Sequence, residues 1–388
     1  MTVTSEGSST GSPVLEPGPA DEEKAHGKAN PRKILIGFVG MAVTGYLMWT
    51  IFLSFGILPG LYFDSKILIG LVAVVVGVGG AAALFYFLNM LVEGLPEKAS
   101  ARLIPYAYLL PGLALIGLML LYPAVQTIIY SFADEDSEAW VGFENYGDIF
   151  ADEGFRGSIF NNVLWLIIVP AAVVAIGIVV AVLADKLSAR GESVSKSIIF
   201  LPMAISFVGA SAIWKLIYDF STGENQTGLL NAVWTTLGGE PQTWLQSESF
   251  KLNTFLLMVI LIWLQAGFGM ILMSSAIKGV PEDTIEAARI DGASEWQIFW
   301  KVVIPQIKGT TITVFITVLI LVLKVFDIVY VLTNGRNDTN VIANLFFFEL
   351  FANSNSGIAS AIVVVLLVAI TPVLVYQVRH FREEEANR

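Results

Sequence analysis

Residues 252 to 305 read LNTFLLMVILIWLQAGFGMILMSSAIKGVPEDTIEAARIDGASEWQIFWKVVIP. The first half, to Ile277, carries no charge and is long enough to cross a hydrocarbon core of about 30 Å as a helix. The second half, Pro281 to Pro305, is the most charged and polar stretch between two long hydrophobic runs. It reads as two short helices. Pro281 suits a helix start, Glu282 and Asp283 sit where the helix dipole favours negative charge, and Gly292 is placed to end the helix in a left-handed conformation. Ser294 with Gln297 reads as a capping box for a second helix that Pro305 ends or kinks. A helix of about three turns is marginal alone and needs tertiary packing. Ala287, Ala288 and Gly292 let another backbone come close, and Glu286, Arg289 and Asp291 offer orienting charge, so this is a docking helix.

The same alternation of greasy and polar stretches runs outward through the chain. At 55% hydrophobic and 14% charged residues, it is far more apolar than a soluble domain. Hydropathy predicts an all-α integral membrane protein of about eight transmembrane helices, near 34–58, 67–92, 104–132, 158–185, 197–221, 252–277, 310–333 and 357–379. Residues 1–31, rich in Gly, Ser, Pro, Glu and Lys, are expected to be a disordered tail. Residues 32–103 read as an N-terminal extension with two spans, 104–380 as a six-helix core with a polar loop at 278–309, and 381–388 as a tail.

Sixteen of the 22 Lys and Arg fall in the tails and on one set of alternate loops. The other set holds only Lys66, Arg156, Lys251 and Arg336. By the positive-inside rule this asymmetry places both termini, and the 278–309 loop, in the cytoplasm. The net charge of −11 resides mostly in tails and loops and does not describe the embedded part.

Several chemistries are excluded. With no cysteine there is no disulfide framework and no thiolate nucleophile. The two histidines, His26 and His380, are too few for a His-rich metal site. No G-x-x-x-x-G-K-[ST] loop occurs, so the chain is expected to hydrolyse no ATP and to carry no catalytic residue.

The string Glu286-Ala287-Ala288, Asp291-Gly292-Ala293, then Ile304-Pro305 resembles the EAA loop of the permease subunits of binding-protein-dependent ABC importers. VGFENYGDIF (Val141 to Phe150), FLPMAIS with Trp214 and GLLN, and KVFDIVYVLTNG (Lys324 to Gly335) are similar to segments of the carbohydrate-importing branch. The last, with TNVIAN, looks most like permeases for α-glucosides such as maltose, sucrose or trehalose, and related permeases carry glycerol phosphate. The resemblance covers roughly 105–380. It implies a type I importer permease core plus two N-terminal helices in a bacterial inner membrane. Glu286, Ala287, Ala288, Arg289, Asp291 and Gly292 would then form the coupling helix that docks on an ATPase. The implied partners are two cytoplasmic ATPase subunits that bind ATP and Mg, a second homologous permease, an extracytoplasmic solute-binding protein and the lipid bilayer. The implied cargo is a sugar; no cofactor in this chain and no nucleic acid is implied.

Polar residues inside the spans are the other candidates. Lys324 and Asp327 are expected inside the seventh span, three apart on one helix face, at a depth where an ionisable group costs about 2.5–3.5 kcal/mol. Either they line the translocation pathway, where a carboxylate accepts hydrogen bonds from sugar hydroxyls, or they form a structural ion pair. Lys215 and Asp219 read as an interfacial pair at i,i+4. Gln265, Asn162, its neighbour Asn161, and Tyr330 can line a pathway or bond helix to helix. The alternative class is an ion-coupled secondary transporter using Lys324 and Asp327 as a relay, for which inverted repeats are the signature.

Overall fold

In the computed structural model, residues 29–57, 66–222 and 227–386 are described, and the expected disordered tail lies outside them as far as residue 28. The chain divides into two compact units, residues 1–123 and 124–388. The first holds α1 (Pro31–Ile57), α2 (Lys66–Glu93) and α3 (Glu97–Ile116). In lipid no hydrophobic drive pulls apolar helices together, so close packing of small residues must do it. A Cβ on Gly37 would stand 2.6 Å from the backbone nitrogen of Leu91, and one on Gly40 would stand 2.2 Å from the Phe87 ring. The hairpin is closed by Lys33 on Glu93 at 3.1 Å, and Tyr108 of α3 donates to Asn89 at 2.6 Å.

A π turn, Gly117–Leu121, leads from α3 into α4 (Tyr122–Tyr130), completing a span from Glu97 to Tyr130. Pro123 stands just past that turn. It has no N–H to give and its ring crowds the carbonyl four residues back, so the ladder opens by one residue.

The second unit continues with α5 (Glu144–Ala151), α6 (Glu153–Asp185), α7 (Ala189–Phe200), α8 (Phe207–Ile217), α9 (Leu229–Thr236) and α10 (Leu252–Lys278). Then come α11 (Glu282–Ile290), α12 (Glu295–Ile298), α13 (Ile304–Gln306), α14 (Lys308–Leu323), α15 (Asp327–Leu332), α16 (Ile342–Phe351) and α17 (Ser356–Ala386). α10 is the central pillar, with Leu257, Met258, Ile260, Leu261 and Leu264 buried. Its two glycines face different neighbours. A Cβ on Gly267 would lie 2.6 Å from the Ile199 carbonyl oxygen, and one on Gly269 would lie 3.0 Å from that of Val173. Backbone therefore lies against backbone on both sides, and Gly177 of α6 meets Gly269 the same way at 2.8 Å.

Among the described residues six helices are long and apolar enough to span, and two bent pairs bring the number to as many as eight. Six of the eight expected spans lie within a few residues of the reading from hydropathy, apart from the earlier start of the third and the extension of the last to Ala386. The other two are not continuous. The fifth bends by 104° between α7, with its short continuation Leu201–Ala204, and α8. Pro202 opens that 3₁₀ turn, and the Ser206 side chain caps α8 by accepting from the Gly209 N–H at 3.1 Å.

The seventh stops at Leu323, and its chain turns at Lys324 (φ −110, ψ 25) and Phe326 (φ −143, ψ −59) before restarting as α15. No Gly or Pro marks this break. Its cause is tertiary: the Phe326 ring stacks on Tyr330 at 5.0 Å and packs on Phe347 at 5.1 Å, aromatic contacts that favour the turned backbone. Lys324 and Asp327 are therefore not neighbours on one face of a continuous helix, as expected from sequence. They flank a break.

Candidate docking module and translocation cavity

The module leaves the end of α10 and is built from its caps. Glu282 and Asp283 open α11, and Gly292 closes it at φ +81. The Gly292 N–H donates to Arg289 and the Ala293 N–H to Ala288, each at 3.0 Å, which satisfies two of the carbonyls a helix end leaves open. The capping box is also present. The Ser294 hydroxyl accepts from the Gln297 backbone N–H, and the Gln297 side-chain oxygen Oε1 accepts from the Ser294 N–H at 2.9 Å.

The module has two faces. Ile285, Ala288 and Ala293 pack on the buried core, whereas Glu282, Glu286, Ala287 and Ile290 are exposed, Ile290 to 86%. The two alanines thus do different jobs. Ala288 seats the helix and Ala287 stands on the outer side with Glu286, whose carboxylate takes part in none of the hydrogen bonds or ion pairs among the described residues.

Arg289 is committed inside the module. Its Nε and Nη2 donate to the two oxygens of Glu295 at 2.8 and 3.3 Å. This fork clips α11 to α12. Glu295, with Glu286 and Glu282 further off, holds the guanidinium above the usual arginine range. Beyond α12 a second π turn, Phe299–Val303, stands just before Pro305, and the chain bends by 67° into α14.

The two broken spans meet at a cavity of about 290 Å³. Phe207, the first residue of α8, lines it together with Leu261 of α10, Leu321, and the break residues Lys324 to Ile328. α15 packs on α8. Helices interrupted in mid-membrane leave backbone polar groups that only a cavity or a neighbour can satisfy, and this is how transporters build solute sites. Asp327 is the first residue of α15 and Tyr330 lies one turn on, stacked on Phe326. The described ion pairs involve Lys33, Lys196, Lys251, Lys278 and Arg289. Lys324 and Asp327 form no such pair. Both face the cavity instead.

The other candidates are distributed differently. Gln265 is buried one turn from Leu261 and does not line the cavity. The Asn162 side-chain oxygen accepts the Ile342 N–H at 2.8 Å, and Asn161 donates to the Asp338 and Asn340 carbonyls at 2.9 and 2.8 Å. Both asparagines pin the segment before α16. The expected pair of Lys215 with Asp219 does not form, because α8 ends at Ile217 and Asp219 accepts from Thr227 at 2.5 Å.

Two ion clusters escaped the reading of the sequence. Where α10 begins, Lys251 reaches the Asp338 carboxylate and donates to Asn161 at 3.0 Å, with the Phe160 ring 5.8 Å away. At its other end Lys278 holds Glu192 at 2.6 Å and Asp185 at 3.3 Å, and Lys196 joins Glu192 and Ser274. Only the i,i+4 spacing of Glu192 and Lys196 was visible beforehand.

A multi-span bundle whose broken helices enclose a solute-sized cavity, and which carries a doubly capped polar module at one end, is the transmembrane subunit of a transporter. Residues 173–382 match the family described as binding-protein-dependent transport system inner membrane component, a stretch that includes the module and both breaks. The alpha-glucoside transport system permease protein AglF of Rhizobium meliloti is 42% identical over 338 residues, 83% of this chain and 99% of that one. The osmoprotective compounds uptake permease protein GgtC of Synechocystis sp. is 48% identical over 282 residues, 72% of this chain and 100% of that one. The fold is that of a bacterial alginate ABC transporter solved in complex with an alginate pentasaccharide-bound periplasmic protein, with a TM-score of 0.62 and 21% identity over 72% of this chain and 94% of that one. The chain belongs to the binding-protein-dependent ABC transporter permeases. It is a multi-pass inner-membrane transport component without an ATPase domain. The resemblance read from the EAA segment is borne out at that level, and the secondary-transporter alternative falls with it.

Proposed function

We propose that this permease conducts a sugar of the α-glucoside class through the cavity at Lys324–Ile328 and receives the work of ATP hydrolysis through α11. The observation that carries the reading is the geometry of α11, a short helix seated by Ile285 and Ala288 with Glu286 and Ala287 exposed on its outer side. Two ATPase subunits, binding ATP and Mg, would close and pull on this helix. A second homologous permease would complete the pathway, and an extracytoplasmic binding protein would deliver the cargo. The basic residues of alternate loops support cytoplasmic termini and a cytoplasmic module.

A partner can drive the bundle only by its differential affinity for the inward- and outward-open states. An exposed carboxylate on a rigid helix suits such a contact, because its orientation changes little when the bundle moves. In the cavity, the Asp327 carboxylate accepts hydrogen bonds from sugar hydroxyls and the Tyr330 and Phe326 rings offer an apolar face beside it. The α-glucoside assignment rests on the name of the relative at 42% identity. That of the 48% relative makes osmoprotective compounds the second cargo to test.

Glu286→Lys should abolish uptake and lower recovery of the ATPase on the purified complex while the chain remains inserted. Normal uptake by this variant sinks the coupling assignment. Competition of uptake by a panel of α-glucosides, glycerol phosphate and osmoprotectants decides the cargo. Failure of every α-glucoside to compete removes that class.

A further inference from the structure

A second concavity, of about 630 Å³, lies beside the module and belongs to neither the docking face nor the cavity. One side is the last turns of α6, from Ala175 to Lys186; the other is the stretch Glu295 to Ile304; and Ile277 and Ile285 complete the lining. Its body is aliphatic and aromatic. Its four charged lining groups are Asp185, Lys186, Arg289 and Glu295.

Three features fix what such a groove would take. First, it sits where α6 and α10 end, at Asp185 and Lys278, and therefore at the depth where the hydrocarbon gives way to headgroups. Trp296 and Trp300, edge to face at 5.6 Å and 71% and 50% exposed, stand in its wall, as tryptophans do at that level. Second, the charges cancel, two cations against two anions. A purely anionic headgroup would meet Asp185 and Glu295, and a purely cationic one would meet Lys186 and Arg289. Third, the charges are unequally engaged. Asp185 is paired with Lys278 at 3.3 Å and Arg289 with Glu295 at 2.8 Å, whereas Lys186 takes part in none of the described ion pairs.

We propose that this groove binds an aminophospholipid of the surrounding leaflet. One acyl chain lies along Val179, Val182, Ile304 and the Trp300 ring, the phosphate sits on Lys186, and the headgroup ammonium donates to Glu295. Glu295 has room for it, because an ionised carboxylate offers about four acceptor sites and Arg289 uses two. A trimethylammonium headgroup has no N–H to donate and a glycerol headgroup has no cation, so the site discriminates against both. Aliphatic lining with a few convergent polar groups, at this volume, is the usual form of a small-molecule site.

The test uses the whole transporter, reconstituted in nanodiscs containing equal parts phosphatidylethanolamine, phosphatidylcholine and phosphatidylglycerol, then released into detergent and examined by native mass spectrometry. Phosphatidylethanolamine should be retained above its share of the mixture, and Lys186→Ala should bring retention down to that share. Equal retention of the three lipids, a preference for phosphatidylglycerol, or retention unaffected by Lys186→Ala overturns the proposal. A second measurement keeps it testable if that variant assembles poorly. Phosphatidylethanolamine with brominated chains should quench tryptophan emission, and Trp296→Phe with Trp300→Phe should remove part of the quenching. Quenching that those changes leave untouched overturns it as well. So does quenching that disappears once the ATPase is bound, which would make the groove a protein-docking surface.

Discussion

Gly292 offers a test of the module in which one cause can be isolated. It sits at φ +81, and a Cβ built there meets nothing within 4 Å. A substitution is therefore penalised by backbone conformation alone, without a clash to confuse the result. Holding an L-residue in the left-handed region costs roughly 1–2 kcal/mol, with Asn paying less and β-branched residues more. The conformation matters because it aims the Gly292 and Ala293 N–H groups at Arg289 and Ala288. If the closed cap is destabilised by that amount, local opening becomes about 5–30 times more frequent. Hydrogen exchange of the peptide spanning 282–293 in the purified complex should then accelerate by that factor in Gly292→Ala, by less in Gly292→Asn and by more in Gly292→Val. Recovery of the ATPase on the complex should fall in the same order. Unchanged exchange in Gly292→Ala, or Gly292→Asn more perturbed than Gly292→Val, would refute the assignment of the cap.

Other expectations follow from single contacts. Arg289→Lys keeps the charge but loses the two-pronged bond to Glu295, and should speed exchange at the start of α12 with little effect on insertion. Gly267→Ala forces a methyl against the Ile199 carbonyl at 2.6 Å. Overpacking of this kind costs about 1–3 kcal/mol and should lower the midpoint of thermal unfolding in detergent; an unchanged midpoint would mean that the bend of the fifth span moves aside freely. Asp327→Asn should weaken sugar uptake while leaving complex assembly intact, and the reverse pattern would return Asp327 to a structural role. Lys251→Ala removes the contacts that join the start of α10 to Asp338 and Asn161, and protease cleavage within 334–340 should increase.

Much of this was legible in the chain because the bilayer writes its demands plainly. Length and apolarity mark the spans, and the caps at Gly292 and Ser294 are local chemistry that needs no tertiary partner. The two breaks differ instructively. That of the fifth span was announced by Pro202 and Ser206, although hydropathy averaged across it. That at Lys324 to Phe326 was silent, since the residues that turn the backbone are held by Phe347, far along the chain. For the same reason Lys324 and Asp327, expected to share one face of a continuous helix, flank a break instead. Asn161 and Asn162 could be read either as pathway residues or as helix-to-helix partners, because a polar group in a span says only that it needs a partner. Which partner, here the backbone before α16, is set by packing.

The π turn at Phe299–Val303 carries one residue more than an α-helix would use. Each residue of an α-helix advances its azimuth by about 100°, and this wide turn absorbs one such advance. Deleting its surplus residue would therefore close it to an ordinary α-turn and leave Glu286 and Ile290 near their present bearing. The same deletion inside α14, where no surplus is stored, would turn everything on its N-terminal side by about 100° relative to the rest of the span. The wide turn is thus slack in the line between the module and the span: transport is expected to tolerate the loss of one residue there and to fail when one is lost a turn or two further on.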